Sequence, residues 1–488
     1  MEYKTLVSII TLIGYTILMV AIGAWAHRKI KSMSDYWVWG RSVKSVLGGL
    51  TWVATGLSAG AFMGHAGMGF RWGWGYIMAL MGGFMFGNLS VWTWFGDKLR
   101  SVTRRLNVMT IPEIIEKRYD SKLARVIAAL IVFFTTIPMM SGQFKGVAIV
   151  FESMLGIPYF WGVILGSISA IIYTAVGGVI AGVVTDVIQA ILMWITSLVL
   201  VGFGMYVVGW GNLNAKVAEM GGRYVDPVSG FSLTFVISVL IMGGFSAICP
   251  PHHTHRLYTM ASRKNIIRGG IIALITVAFW DFMGPYTGLV AKGLMSNLPD
   301  PDMAAPALIF SFVGIEFGTI ICTGLLAAAM STVDGLILMA AAAVAADVTK
   351  AVKPTISERT EMQLATMASV LVGILGVIFA FWTGPLGGMI AMMMILAFSY
   401  YGACFTVPIV GGLFWRRANK AGGLAALIVG FIATTAWYMM GSPYQIHYGA
   451  FGAIASSIAF IVVSLATPKP PEETVRKFFP EKGIYFPD

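Results

Sequence analysis

The feature that most constrains this chain is a succession of apolar stretches, each long enough to cross a bilayer, joined by short loops that carry most of the charge. About 20 apolar residues span the hydrocarbon core as a helix. Thirteen such segments are read, at residues 5–25, 46–69, 74–97, 124–150, 157–179, 185–209, 232–255, 268–291, 318–347, 366–383, 388–415, 422–440 and 449–467, numbered 1 to 13 in order. Backbone polar groups inside a bilayer must find partners within the chain, which leaves helices or a closed barrel. The alternating polar pattern of barrel strands is absent. The expected fold class is therefore an all-α polytopic membrane protein with 13 transmembrane helices. Composition agrees: 11% of the 488 residues are charged, against roughly 25% in soluble domains, too few to coat a soluble fold. A cytosolic enzyme and a disordered chain are thereby excluded. The first run, Leu6 to Trp25, is too long for the apolar core of a signal peptide and is read as a span. Cys249, Cys322 and Cys404 all fall in apolar stretches, and their odd number argues against a disulfide framework.

The net charge is +11, and its placement decides its meaning. Arg28, Lys29, Lys31, Arg41 and Lys44 follow segment 1; Lys98, Arg100, Arg104, Arg105, Lys117, Arg118 and Lys122 follow segment 3; Arg416, Arg417 and Lys420 follow segment 11. The loops on the other side hold only Lys4, Arg71, Lys216, Arg223 and Lys292. By the positive-inside rule the N-terminus lies outside and the C-terminus in the cytoplasm, which needs an odd number of spans. The basic charge is then a topology signal and not a nucleic-acid footprint. No nucleic-acid partner is expected; the partner implied is the lipid bilayer of the cell inner (plasma) membrane. Residues 297–305 read as an outer turn, 306–316 as a short surface helix, and the tail from Thr467 as a cytoplasmic extension with little order.

Function in such a chain lies where the helix rule is broken. Segment 2 contains Ala54-Thr55-Gly56-Leu57-Ser58-Ala59-Gly60-Ala61. Glycine costs a helix about 1 kcal/mol relative to alanine, and small polar side chains compete for backbone hydrogen bonds. Segment 7 contains Gly243, Gly244 and then Pro250-Pro251-His252-His253; two prolines remove two N–H donors. Breaks at matching positions, opening segments 2–6 and 7–11, point to a transport site. Gly48-Gly49 and Gly82-Gly83 read as close helix contacts instead. Ionisable groups within apolar segments cost roughly 2.5–3.5 kcal/mol each when charged, so Lys145, Asp186, Asp334, His65, His252, His253 and His255 stand out. Asp186 is open to an N-cap role, and Lys145 to snorkelling or to pairing with Asp334. The histidines near segment 7 lack a fourth ligand and are not read as a zinc site. Asn88-Leu89-Ser90 matches a glycosylation pattern but lies within segment 3. An alkali ion is served by carbonyls freed at an unwound stretch together with hydroxyls; segment 2 supplies the first, and Ser331-Thr332 in segment 9 the second.

Several motifs together carry a resemblance. They are Leu57 to Gly64, Thr110-Ile111-Pro112-Glu113 with Glu116-Lys117-Arg118-Tyr119, Tyr173 to Gly178 leading to Thr185-Asp186-Val187-Ile188-Gln189, Ala329-Met330-Ser331-Thr332, and Gly412 to Asn419. In these the chain resembles the sodium/solute symporter family over about residues 5–465. The resemblance implies a five-helix inverted repeat of the amino-acid-transporter-like kind. The divisions are then 1–45 (first helix and inner loop), 46–210 and 211–415 (the two repeats) and 416–488 (two extra helices and tail). It implies Na+ as the coupling ion, held by the carbonyls of Ala54, Leu57 and Ala328 and the hydroxyls of Ser331 and Thr332. Asp186 matches a family aspartate near the sodium path. Asp334 and Gly335 stand where members with a second sodium carry serines, so Asp334 becomes a carboxylate ligand or a proton acceptor; Asp186 and Asp334 are the expected coupling residues.

For the substrate, Thr55, Gly56, Ser58 and Gly60 offer a sugar few hydrogen bonds. Pro251-His252 followed by Arg256 is similar to a pattern of the pantothenate and monocarboxylate branches, and Gln143 is similar to the pantothenate branch. Lys145 falls near the position where sialic acid members place an arginine, and a cation there favours an anion. His253, Tyr400 and Tyr401 complete the expected lining. The implied function is not enzymatic: it is sodium-coupled symport of a small anionic carboxylate, pantothenate or a short-chain organic acid, into the cell by alternating access. The alternatives are symport of proline or another amino acid, and proton coupling through Asp334, His65 or His253.

Overall fold

In a computed structural model of the chain, residues 3–226, 231–295, 297–353, 355–383 and 388–480 are described. Regular structure among them is helical, apart from one bridge between Val43 and Met260. Ten helices among the described residues are long and apolar enough to cross a membrane, and the bent pair Ser45–Gly56 and Gly60–Trp72, angled at 57°, makes an eleventh. The difference from thirteen lies in two places. Segments 5 and 6 run together in Tyr159–Val207, 49 residues, or roughly 74 Å at 1.5 Å per residue, more than twice a core of about 30 Å. That run is turned at Gly178, where φ is 54° and ψ −150°, a region only glycine enters readily. A β-carbon there would also sit 2.7 Å from the Tyr36 ring. Segment 3 is helical over only 16 residues, Gly75–Ser90, before a wider turn over Val91–Phe95 leads into Gly96–Arg105.

Both expected breaks are present. Segment 2 leaves the helix after Gly56, with Leu57 at φ −93° and ψ 79°, and resumes at Gly60. Freed N–H groups find partners locally: Ser58 Oγ accepts from Gly60 N at 2.9 Å, and Gln143 Oε1 from Ala59 N at 3.0 Å. The backbone is thus satisfied without helix, as a bilayer demands. Segment 7 ends one helix at Ser246 and starts another at Pro251. Pro251 occupies the first position of that helix, where its missing N–H is no loss. Small residues let the segments approach. A β-carbon on Gly49 would lie 2.5 Å from the Gly269 carbonyl, and one on Gly83 2.5 Å from that of Leu240, so both glycine pairs serve helix contacts. Segment 9 is buried along its whole apolar window and forms the centre.

Two readings are corrected at the periphery. The short helix expected at 306–316 runs over Ala304–Phe312. The tail is better ordered than its composition implies, with a helix at Glu472–Phe478. An apolar anchor explains this. Phe478 is fully buried beside Ile114, Ile115 and Pro408, and the Arg118 guanidinium lies 5.6 Å from its ring. Lys482 and the rest of the expected tail fall outside the described residues.

Candidate functional site

Across the break of segment 2, segment 9 presents its two hydroxyls. Ser331 Oγ donates to the Ala54 carbonyl at 2.7 Å and lies 3.2 Å from that of Ala328. Thr332 Oγ1 donates to the Thr55 carbonyl at 2.9 Å and lies 3.5 Å from that of Ala328. All five residues are buried. The cluster is oxygen only, which suits a hard alkali cation. Four of the five expected ligand residues come together. Leu57 has moved out of the helix, and the Thr55 carbonyl meets segment 9 in its place.

One helical turn along segment 9 lies a buried charge cluster. Arg256 Nη2 is 3.0 Å from Asp186 Oδ2 and 3.0 Å from Asp334 Oδ1. Its Nε donates to Thr55 Oγ1 at 2.9 Å, and that hydroxyl donates to Asp186 Oδ2 at 3.0 Å, as does Thr51. Asp186 sits well inside the helix Tyr159–Val207, so the N-cap role is ruled out; it is a member of an ion cluster. Gly182 makes room for it, since a β-carbon there would lie 2.8 Å from Asp334 Oδ2.

Lys145 belongs elsewhere. Its ammonium lies 2.7 Å from Asp300, 2.8 Å from Asp302 and 3.1 Å from the Gly388 carbonyl. Asp302 also accepts from Ile390 N at 2.9 Å. Pairing with Asp334 and snorkelling are both replaced by a clasp that ties segment 4 to the acidic turn and to the start of segment 11. Burial pushes the Asp302 carboxyl up to about 6, against the pull of Lys145.

Between segments 2, 3, 7, 8 and 11 lies a cavity of about 30 Å³. Gly56 and His253 line it, and a side chain on Gly56 would run into the His253 ring. His65 lines it too, with Asn88, Asp281 and the Phe84 and Phe398 rings. Neither ring nitrogen of His65 makes a hydrogen bond among the described residues, and neither does Asn88 Oδ1 or Asp281 Oδ2. Other expected lining residues point to different tasks. Ser58 and Gln143 hold the break open, and Gly60 packs on Met394. His252 and Tyr401 pack ring against ring at 5.9 Å. Tyr400 donates to or accepts from Thr435 Oγ1 at 2.9 Å, and so joins segment 12. Sequence reasoning missed Asp281, although a carboxylate within Trp280-Asp281-Phe282 breaks the same apolar rule that drew out Asp186 and Asp334. Asn88 was passed over with its glycosylation pattern.

The model of the sodium:solute symporter family matches residues 36–430. The sodium/pantothenate symporter of Escherichia coli (strain K12) is 29% identical over 484 residues, covering 96% of this chain and 98% of the relative. The sodium/proline symporter of the same organism is 28% identical over 505 residues, covering 98% and 96%. Among solved structures, a Na+-coupled sialic acid symporter in a substrate-bound outward-open state superposes with a TM-score of 0.81 at 21% identity, covering 96% of this chain and 99% of that one. That likeness concerns the fold. With its family model matched over most of the sequence, the chain belongs to the sodium:solute symporter family, membrane transporters with sodium as coupling ion and not enzymes.

Proposed function

We propose that the chain carries a small carboxylate-bearing solute into the cell together with sodium, through thirteen spans of the plasma membrane. Its N-terminus is outside, residues 46–210 and 211–415 form the inverted repeats, and 1–45 and 416–488 flank them. Pantothenate or a short organic acid fits if the solute is anionic, and an amino acid such as proline if it is zwitterionic; relatives named for pantothenate and for proline are about equally similar. The observation that carries the reading is the contact of Ser331 and Thr332 with the carbonyls of Ala54 and Thr55 at the break. An arriving sodium ion takes over the two hydroxyls and the Ala54 carbonyl, with the carbonyls of Ala328 and Leu57 completing five ligands, while the hydroxyl protons turn away. Two carboxyl groups share one guanidinium at Asp186, Arg256 and Asp334, and the cluster is joined to the ion site through Thr55. Any negative charge it carries attracts the cation in a medium where screening is weak.

The solute occupies the cavity beside Gly56 and His253, and each ligand favours the other by the same factor. The test is sodium-gradient uptake into proteoliposomes, with pantothenate, propionate and L-proline as probes. Ser331→Ala with Thr332→Ala raises the sodium concentration for half-maximal uptake about tenfold or more; an unchanged sodium dependence overturns the assignment.

A further inference from the structure

Asp281 is a carboxylate with no evident employment. It lies on segment 8, is nine-tenths buried, lines the central cavity and leaves Oδ2 without a hydrogen bond among the described residues. Its position is fixed by close packing. Gly284, nearly one turn on, lets segment 8 lie against segment 2, where a β-carbon would come 2.9 Å from that of His65; Gly69 packs on Pro285 in the same way. The two buried cations nearest the transport path are already committed, Arg256 to Asp186 and Asp334, and Lys145 to Asp300 and Asp302. The other titratable side chains lining the cavity are the imidazoles of His65 and His253.

A buried carboxylate without a partner is costly. It also repels any solute whose only charge is negative. Both difficulties disappear if the solute itself brings the missing cation. We propose that Asp281 determines specificity by receiving a protonated amine of the solute, so that the carboxylates carried are amino-acid-like zwitterions. This rests on the sodium-symport reading above and selects within it. The amine donates to Asp281, the neutral acceptors on His65 and Asn88 complete its hydrogen bonds, and the solute enters with no net charge to desolvate.

The experiment uses the full chain in detergent and in proteoliposomes. The probes are the twenty L-amino acids, each matched with its deaminated acid (propionate for alanine, cyclopentanecarboxylate for proline), and pantothenate. Thermal stabilisation and sodium-driven uptake are measured for wild type, Asp281→Asn and Asp281→Glu. At least one amine-bearing probe stabilises wild type in sodium, while its deaminated partner binds about tenfold more weakly or worse. Asp281→Asn lowers affinity for that amine about tenfold or more, Asp281→Glu restores part of it, and stabilisation by sodium alone persists in both.

The proposal is overturned if no amine binds, or if wild type prefers the deaminated acid or pantothenate. It is overturned equally if Asp281→Asn binds the amine as well as wild type, since the carboxyl is then not acting as an anion. If Asp281→Asn instead loses the response to sodium alone, Asp281 is a cation ligand and the proposal again fails. Amine uptake that wild type performs equally well without sodium removes the symport reading while leaving the role of Asp281 intact.

Discussion

Thr55 joins systems that are far apart in the chain. Its carbonyl accepts from Thr332, and its hydroxyl accepts from Arg256 while donating to Asp186. Thr55→Val keeps the shape and removes only the hydroxyl. The unmade bonds leave buried polar groups wanting, at about 1–3 kcal/mol, and the sodium response weakens with them. A lowered unfolding midpoint together with a raised half-saturation for sodium is the expected result; a lowered midpoint with unaltered sodium response would restrict Thr55 to a structural role. Lys145→Met leaves Asp302 buried beside Asp300 with no counter-charge. Breaking a buried pair from one side costs about 3–5 kcal/mol, and Lys145→Met combined with Asp302→Asn recovers part of it, as a double-mutant thermal series checks. The two residues differ in how far the sequence exposed them. The hydroxyl pair Ser331-Thr332 stands out within an alanine-rich segment, and its partner break is marked by glycines. The partner of Lys145 was hidden, because Asp300 and Asp302 lie in a loop more than 150 residues away and nothing local marks them as its acceptors. Asp281 was visible by the rule applied to its fellow carboxylates and simply was not drawn out by it.

At the level of elements, backbone chemistry explains both what was legible and what was not. Glycines with small polar neighbours at 54–61 and the proline pair at 250–251 announce interrupted helices, and both interruptions occur. Gly178, with no proline beside it, lies at the expected end of segment 5 and turns the longest helical run among the described residues. Whether that run counts as one element or two depends on a single residue at positive φ. Gly178→Ala strains the backbone by about 1–3 kcal/mol and drives a methyl into Tyr36. Folded yield and thermal midpoint fall together, and trimming Tyr36 does not relieve the contact, because the Tyr36 carbonyl would still lie 2.8 Å from the new methyl.

For the whole molecule, the basic loops gather on one face, and the last helix closes over part of it. Lys98 donates to the Phe478 carbonyl at 3.5 Å, and Arg105 donates to that of Lys477. The guanidiniums of Arg118 and Arg416 lie 5.9 and 5.6 Å from the Phe479 ring. Arg118 also donates to the Gly412 carbonyl at 2.6 Å, so one short stretch grips the ends of segments 3 and 11 and the connecting helix Ile111–Tyr119 at once. If this basic face must widen in each cycle, removing residues 472–488 speeds solute exchange about twofold or more without altering sodium affinity, and counterflow rates measured beside sodium titrations check this.

The consequence reaches beyond rate. A wedge of two aromatic rings set among arginines behaves as a doorstop whose seating depends on the charge around it, and the neighbouring chain from Glu472 to Lys477 carries two acids and two bases within six residues. A shift in local ionic strength, or a phosphate-bearing surface drawn to those arginines, would loosen the rings and with them the hold of the last helix on the ends of segments 3 and 11.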